Sequence, residues 1–205
     1  MKLLAISGSL RRDSHNTKLL RAAEELVPAV MEFQVWDGLK AIPPYDEEDD
    51  IDPAPPAVAA FRNAIAEADA ILISTPEYNS SIPGQLKNAI DWASRPLATN
   101  VLRNKPVAVI GASTGAFGAV WSQAELRKVL GATGARVVDA DVALGHAHTK
   151  FSEDGELLDE AARDQLAEVV VTLLAETPAP QFANAHLLGE QVRKAGSIAG
   201  NVVAA

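Results

Sequence analysis

Apolar residues gather along the chain in two alternating rhythms. Residues 2–7, 70–74 and 105–111 are largely apolar runs of strand length, 32–36 alternates apolar with polar, and 136–140 is a fifth short run. Between them the period lengthens to that of a helix. Leu19, Leu20, Ala23, Leu26 and Val27 mark one apolar face, and residues 57–67 carry a second. Leu86, Ala89, Ile90 and Ala93 mark a third at i, i+3, i+4 and i+7. A fourth helix ends near Leu130, and a last long one is expected over 156–176. Strands that alternate with helices predict an α/β fold, a parallel sheet covered on both faces. With five strands, the order 2-1-3-4-5 is the natural expectation. Residues 1–176 are expected to form one domain. The remainder, 177–205, opens T-P-A-P and is rich in Ala and Gly. It reads as an appendage, with a weak helix over 184–194, that packs on a neighbour or is partly mobile.

Composition narrows the class of function. The 205 residues suffice for one domain with a sizeable core, and 48% are hydrophobic. The net charge of −9 disfavours a nucleic-acid surface, which needs an excess of Lys and Arg, and an anionic membrane surface for the same reason. No cysteine is present, which removes disulfides and thiolate nucleophiles and suits a reducing cytosol. No secretory leader or membrane span is read from the pattern, so a cytoplasmic protein is expected.

The polar loops carry the chemistry. Residues 74–83 follow a buried strand and are stiffened by Pro76 and Pro83. Such a loop, at the carboxyl end of a strand in an open sheet, is where ligands bind. Residues 8–17 link the first strand to the first helix. They offer hydroxyls on Ser9, Ser14 and Thr17, an amide on Asn16 and guanidinium groups on Arg11 and Arg12. Open N–H groups at a helix start, with hydroxyls and Arg beside them, suit a phosphate monoester. No Gly-Lys-Ser/Thr is present, so a nucleoside triphosphate is disfavoured. Ser14 or Asn16 also reads as a simple helix cap. Residues 37–56 form a long Pro- and Asp-rich loop, functional or mobile by its length, whose acidic run reads as solvated surface. Pro43, Pro44 and Tyr45 just before that run are placed near the ligand mouth.

Three motifs together resemble the NAD(P)H-dependent FMN reductase family, its quinone and chromate reductase subgroup above all. They are G-S-L-R-x-x-S-x-N at 8–16, P-E-Y-N-x-S-I-P-G-x-L-K-N-A-I-D-W at 76–92, and S-x-G-x-x-G at 113–118. The middle motif is long and specific. The resemblance implies a flavodoxin-like three-layer fold, FMN held without a covalent bond, NAD(P)H as co-substrate, and dimers or tetramers. By position, Ser9, Arg11, Ser14 and Asn16 resemble the family's phosphate loop, with Thr17 beside them. Pro76, Glu77, Tyr78 and Asn79 resemble its isoalloxazine loop, with backbone N–H groups at 77–79 and the Tyr78 ring as expected contacts. Ser113, with Gly115, resembles the flavin contact on the third loop. The electron acceptor implied is a quinone, or an azo dye, chromate or free flavin. No protein nucleophile or acid–base residue is required, because the cofactor carries the chemistry. Trp92 lies off the apolar face of the helix over 84–95, with Lys87, Asn88, Asp91 and Arg95. It is expected to anchor a homodimer or homotetramer contact, the alternative being that it packs under a loop of its own chain.

Two other classes compete. Gly111, Ser113 and Gly115 match G-x-S-x-G, and Asp139 or Asp141 and His146 or His148 follow in hydrolase order. The spacing leaves little room for the intervening strands, and P-E-Y-N stays unexplained. His146 and His148, one residue apart with no clear third ligand, read as loop histidines rather than a metal site. A flavodoxin-type carrier would bind FMN yet refuse hydride, although its phosphate loop is usually rich in Thr and Gly.

Overall fold

The computed structural model describes residues 1–177. The expected appendage, with its helix over 184–194, lies outside the described residues apart from its first position. Eleven regular elements follow in the order β1 (Lys2–Ser7), α1 (His15–Glu24), β2 (Glu32–Trp36), α2 (Pro56–Glu67), β3 (Ala70–Thr75), α3 (Gly84–Ala93), β4 (Pro106–Ala112), α4 (Val120–Ala132), β5 (Arg136–Val137), β6 (Ala143–Leu144) and α5 (Glu160–Ala175). The strands are parallel in the order β2-β1-β3-β4-β5, with β6 also on β4. This is the expected flavodoxin-like 2-1-3-4-5 arrangement.

The period of two along each strand divides the core. Leu3 and Ala5 of β1, with Leu72 of β3 and Ala108 and Ile110 of β4, meet α1 and α5 on one face. Leu4, Ile6, Ile71, Ile73, Val107 and Val109 meet α2, α3 and α4 on the other. Because β1, β3 and β4 are apolar on both faces, they occupy the middle of the sheet. Register alignments Ile6↔Ile73 and Ile73↔Val109 bring their carboxyl ends to one rim.

The fifth strand departs from expectation. A continuous run over 136–140 was predicted, but pairing stops at Val137 and resumes at Ala143. Val138 N still donates to Val107 O, and Gly111 N donates to Val142 O, so residues 139–141 swing out of the ladder. Arg127 of α4 fills the gap. Its guanidinium donates to Val109 O at 2.9 Å, Val138 O at 2.8 Å and Ala140 O at 2.8 Å, satisfying carbonyls that a strand would have paired. The last helix also starts later than expected, at Glu160 rather than 156. Residues 150–158 instead close a small hairpin through Ser152 N to Glu156 O and Leu158 N to Lys150 O, and Asp159 caps the helix.

Trp92 is the main correction. It is fully buried within its own chain rather than presented to a partner. The long loop over 37–55 folds back across the outer side of α3, and α3 offers it a row of donors at i, i+3 and i+7. Gln85 Nε2 bonds Leu39 O and Ile42 O, and Asn88 Nδ2 and Trp92 Nε1 both bond Pro43 O. Tyr45 packs edge-on against the Trp92 ring at 4.9 Å. Arg62 of α2 closes the far side, bonding Trp92 O and pairing with Asp50 of the acidic run at 2.9 Å. The loop is therefore stapled down. Pro43 and Tyr45 sit over Asn88 and Trp92, about 6–12 Å along the helix from Gly84.

Candidate functional site

Three loops meet at the carboxyl rim of β1, β3 and β4, where an open parallel sheet binds its ligand. They are tied to one another before any ligand arrives. Gly8 N donates to Ser74 O at 2.8 Å, joining the first loop to the end of β3. Asn16 joins it to both neighbours. Its Oδ1 accepts from Ser74 Oγ at 2.8 Å and from Ala112 N at 3.0 Å, and its Nδ2 donates to Ala112 O at 3.0 Å. Asn16 is buried, so most of its amide is spent on the scaffold rather than offered as a phosphate contact.

The rest of the first loop remains open to an anion. Ser14 caps α1, its Oγ accepting from Thr17 N, so the cap reading and the phosphate reading fall on one residue. Thr17 Oγ1 donates to Ser7 Oγ at 3.1 Å, a buried serine that the sequence reading passed over. Ser9 is half-buried, and its Oγ accepts from Arg11 N. Arg11 is exposed and makes no ion pair among the described residues. The amides of His15 and Asn16, at the first turn of α1, are donors that every helix start leaves open. Hydroxyls, a guanidinium and open amides on a helix start are the donor set of a phosphate monoester.

His15 stands beside this loop, its ring stacked on Phe151 at 5.9 Å with 10° between planes. Its buried Nδ1 has no partner among the described residues. Burial is the main cause that holds its pKa below the ordinary 6.5, with repulsion from Arg11 and Lys18 adding to it. The folded chain thus disfavours the proton that the unfolded chain takes up near 6.5. Stability is full above that value and falls as the pH drops through it, flattening below the folded pKa. Thermal melts of the ligand-free protein should show this loss on the acid side of neutrality, and His15→Gln should reduce it. An unchanged acid slope in that variant contradicts the assignment.

The second loop is a rigid turn. Pro76 is buried, and residues 78–81 close on themselves through Tyr78 N to Ser81 O and Ser81 N to Tyr78 O. Asn79 and Ser80 both have positive φ, 54° and 59°, as a type I′ turn requires. The amide of Tyr78 is therefore consumed by the turn, contrary to the expectation that it faces a ligand. Those of Glu77 and Asn79 have no partner among the described residues. Tyr78 is 55% exposed. The Glu77 carboxylate points away to α4, where Oε2 accepts from Trp121 N at 3.0 Å and Ser122 N at 3.2 Å. It caps a helix whose own cap residue, Ala119, has no polar side chain to do so.

The third loop is braced from beneath. Ser113 N donates to Leu144 O, Ala147 N to Ser113 O, and His146 N to Gly115 O. Ser113 Oγ accepts from Gly115 N at 3.1 Å and has no histidine partner among the described residues, so the hydrolase arrangement is not assembled. His146 and His148 meet edge to face at 6.4 Å, and no group of three or more metal-binding side chains occurs among the described residues. Thr114, Ala116 and Phe117 keep amides without partners there. Phe117 and Trp121 form an exposed edge-to-face pair at 5.1 Å.

The model of the family described as NADPH-dependent FMN reductase matches residues 1–149. The chain belongs to the NADPH-dependent FMN reductase family. It is 42% identical, over 174 residues, to a Pseudomonas aeruginosa protein named NAD(P)H-dependent FMN reductase, covering 84% of this chain and 93% of the relative. A Burkholderia 2-hydroxy-1,4-benzoquinone reductase is 39% identical over 81% of this chain and 90% of its own. Among solved structures, the flavoenzyme NAD(P)H:(acceptor) oxidoreductase FerB of Paracoccus denitrificans superposes with a TM-score of 0.77 at 33% identity, over 86% of this chain and 99% of that one. Membership of the FMN reductase family makes this an oxidoreductase with FMN as cofactor and NAD(P)H as co-substrate. Among the described residues no helix is long and apolar enough to cross a membrane.

Proposed function

We propose that this chain is a cytoplasmic oxidoreductase that holds FMN without a covalent bond across the three loops. It spends NAD(P)H to reduce a quinone or a similar small acceptor, such as an azo dye, chromate or free flavin. The observation that carries this reading is the convergence of an anion-binding helix start, a preformed turn with free amides and a glycine-bearing third loop on one rim. Arg11, Ser9, Ser14 and the open amides of α1 would take the phosphate, with Thr17 and Asn16 holding the loop behind them. Amides at Glu77 and Asn79, and the third loop around Ser113 and Gly115, would face the ring edges, with Tyr78 and Pro76 beside them. FMN bound there supplies hydride acceptance and electron delivery. No side chain of the protein is assigned a proton or a covalent role.

Arg11→Ala tests the phosphate assignment without disturbing the Ser14 cap. FMN affinity should fall about tenfold, as the loss of one charge-assisted bond implies, with an unchanged melting temperature. Wild-type affinity in that variant removes Arg11 from the site. A protein that binds FMN but is reduced by neither NADPH nor NADH is the carrier instead. Self-association as a homodimer or homotetramer belongs to the same proposal. With Trp92 inside the chain, its apolar anchor passes to exposed Phe117 and Trp121. Sedimentation of Trp121→Glu should give a smaller particle than the wild type, and an equal mass removes that surface.

A further inference from the structure

The turn over residues 78–81 poses a physical problem. Its two central residues, Asn79 and Ser80, both lie at positive φ, and neither is glycine. Serine in the left-handed region is uphill, and Asn-Gly is the pair that such a turn ordinarily uses. Two backbone bonds of 3.2 and 3.1 Å close the turn, and its tip is exposed. Left to itself it would relax, and the amides and ring that it presents would move with it.

Two carboxylates prevent this. Glu77 reaches from the loop to the start of α4, fixing the entry of the turn. In the opposite direction, Glu125 reaches from α4 to the exit. Its Oε2 accepts from Ser81 Oγ at 2.6 Å and from Ile82 N at 3.2 Å. Beyond Ile82, Pro83 leads directly into α3. The free part of the loop is thereby reduced to the four residues of the turn. Among the described residues Glu125 makes no hydrogen bond to any residue assigned to the ligand.

We propose that Glu125 is a positioning residue for flavin binding, a brace that holds the 78–81 turn in its strained conformation so that Tyr78 and the neighbouring amides meet the ring. The proposal rests on the FMN reading above. The Ser81 hydroxyl bond comes first among the causes that hold its carboxyl below the usual range, followed among the favourable ones by the Ile82 amide and the nearby Lys128 and Lys87. The brace therefore stays ionised through mildly acid conditions.

The test uses Glu125→Ala, Glu125→Gln and Ser81→Ala. Alanine removes both bonds while favouring the helix, so α4 stays formed. The glutamine amide oxygen still accepts from Ile82 N. FMN titration should show about tenfold weaker binding for Glu125→Ala and recovery to within about threefold for Glu125→Gln. Adding Ser81→Ala to Glu125→Ala should cost nothing further, since the two act on one contact. Amide exchange at Ile82 in the ligand-free protein should speed up in Glu125→Ala and not in Glu125→Gln. Wild-type FMN affinity in Glu125→Ala overturns the proposal. So does glutamine as poor as alanine, which would assign the effect to charge, or an Ile82 amide that exchanges as in the wild type. If the wild type binds no FMN, the functional reading fails, and the Ile82 exchange still decides whether the brace exists.

Discussion

Asn16→Leu should lower the melting temperature by roughly 10 °C and abolish measurable FMN binding, the largest loss expected from any single change at the rim. The leucine keeps the branched shape but makes no bond. Ser74 Oγ, Ala112 N and Ala112 O then each lose a partner in a buried place. An unsatisfied buried group costs about 1–3 kcal/mol, so three cost at least about 3 kcal/mol, a large share of a typical domain's stability. For a chain of this size each kcal/mol shifts the melting point by about 2–4 °C. The ligand is lost for a separate reason: among the described residues Asn16 is the one side chain hydrogen-bonded to the ends of both β3 and β4. Asn16→Asp is the informative companion. It keeps the acceptor for Ser74 and Ala112 N but loses the donor to Ala112 O, and it should fall between the two. Melts and FMN titrations of both variants check this, and a leucine variant that melts with the wild type contradicts it.

Gly118→Ala should be nearly as damaging, whereas Gly115→Ala should leave the fold alone. Gly118 has φ of +59°, and a Cβ there would lie 2.2 Å from the carbonyl carbon of Ala143 and 2.4 Å from its oxygen. Neither the left-handed backbone nor that contact with β6 can be relieved by a side-chain movement. The two together should cost about 3 kcal/mol and displace the third loop. A Cβ on Gly115 meets only Ser113 Oγ, at 3.5 Å, an ordinary contact. Its melting temperature should stay with the wild type while FMN affinity falls, because in the proposed site the added methyl would occupy the face that the ligand approaches. Circular-dichroism melts with parallel FMN titration separate the two outcomes. A Gly115→Ala protein that binds FMN normally removes that position from the site.

The middle of the sheet was legible because β1, β3 and β4 are short, largely apolar runs, the pattern expected of a doubly covered strand. The three loops were legible because their prolines, glycines and hydroxyls cluster immediately after those strands. What the linear pattern hid is where side chains spend their hydrogen bonds. Asn16 reads as a polar loop residue and proves to be a buried tie, a difference set by strands 58 and 96 positions away. Trp92 reads as an exposed aromatic because the helix period puts it off the apolar face. The loop over 37–55 covers that face, and the signal for it was present in the row Gln85, Asn88 and Trp92, which offers donors to its carbonyls. The break in the fifth strand was hidden for a similar reason. Arg127 takes the place of the ladder, and a single Arg between the buried Leu126 and Leu130 is the only mark of it in the sequence. Glu125 left no sign at all, since a glutamate on an exposed helix face is the commonest of residues.

The central claim is that one rim of the sheet holds FMN in a form that nicotinamide can reduce. The direct measurement is anaerobic titration of the purified protein with FMN, followed by NADPH and NADH in separate cuvettes, while the visible flavin band is watched. The account predicts saturable uptake of one FMN per chain and bleaching by at least one nicotinamide, with colour restored on adding a quinone. A protein that takes up no FMN, or whose bound FMN neither nicotinamide bleaches, contradicts it.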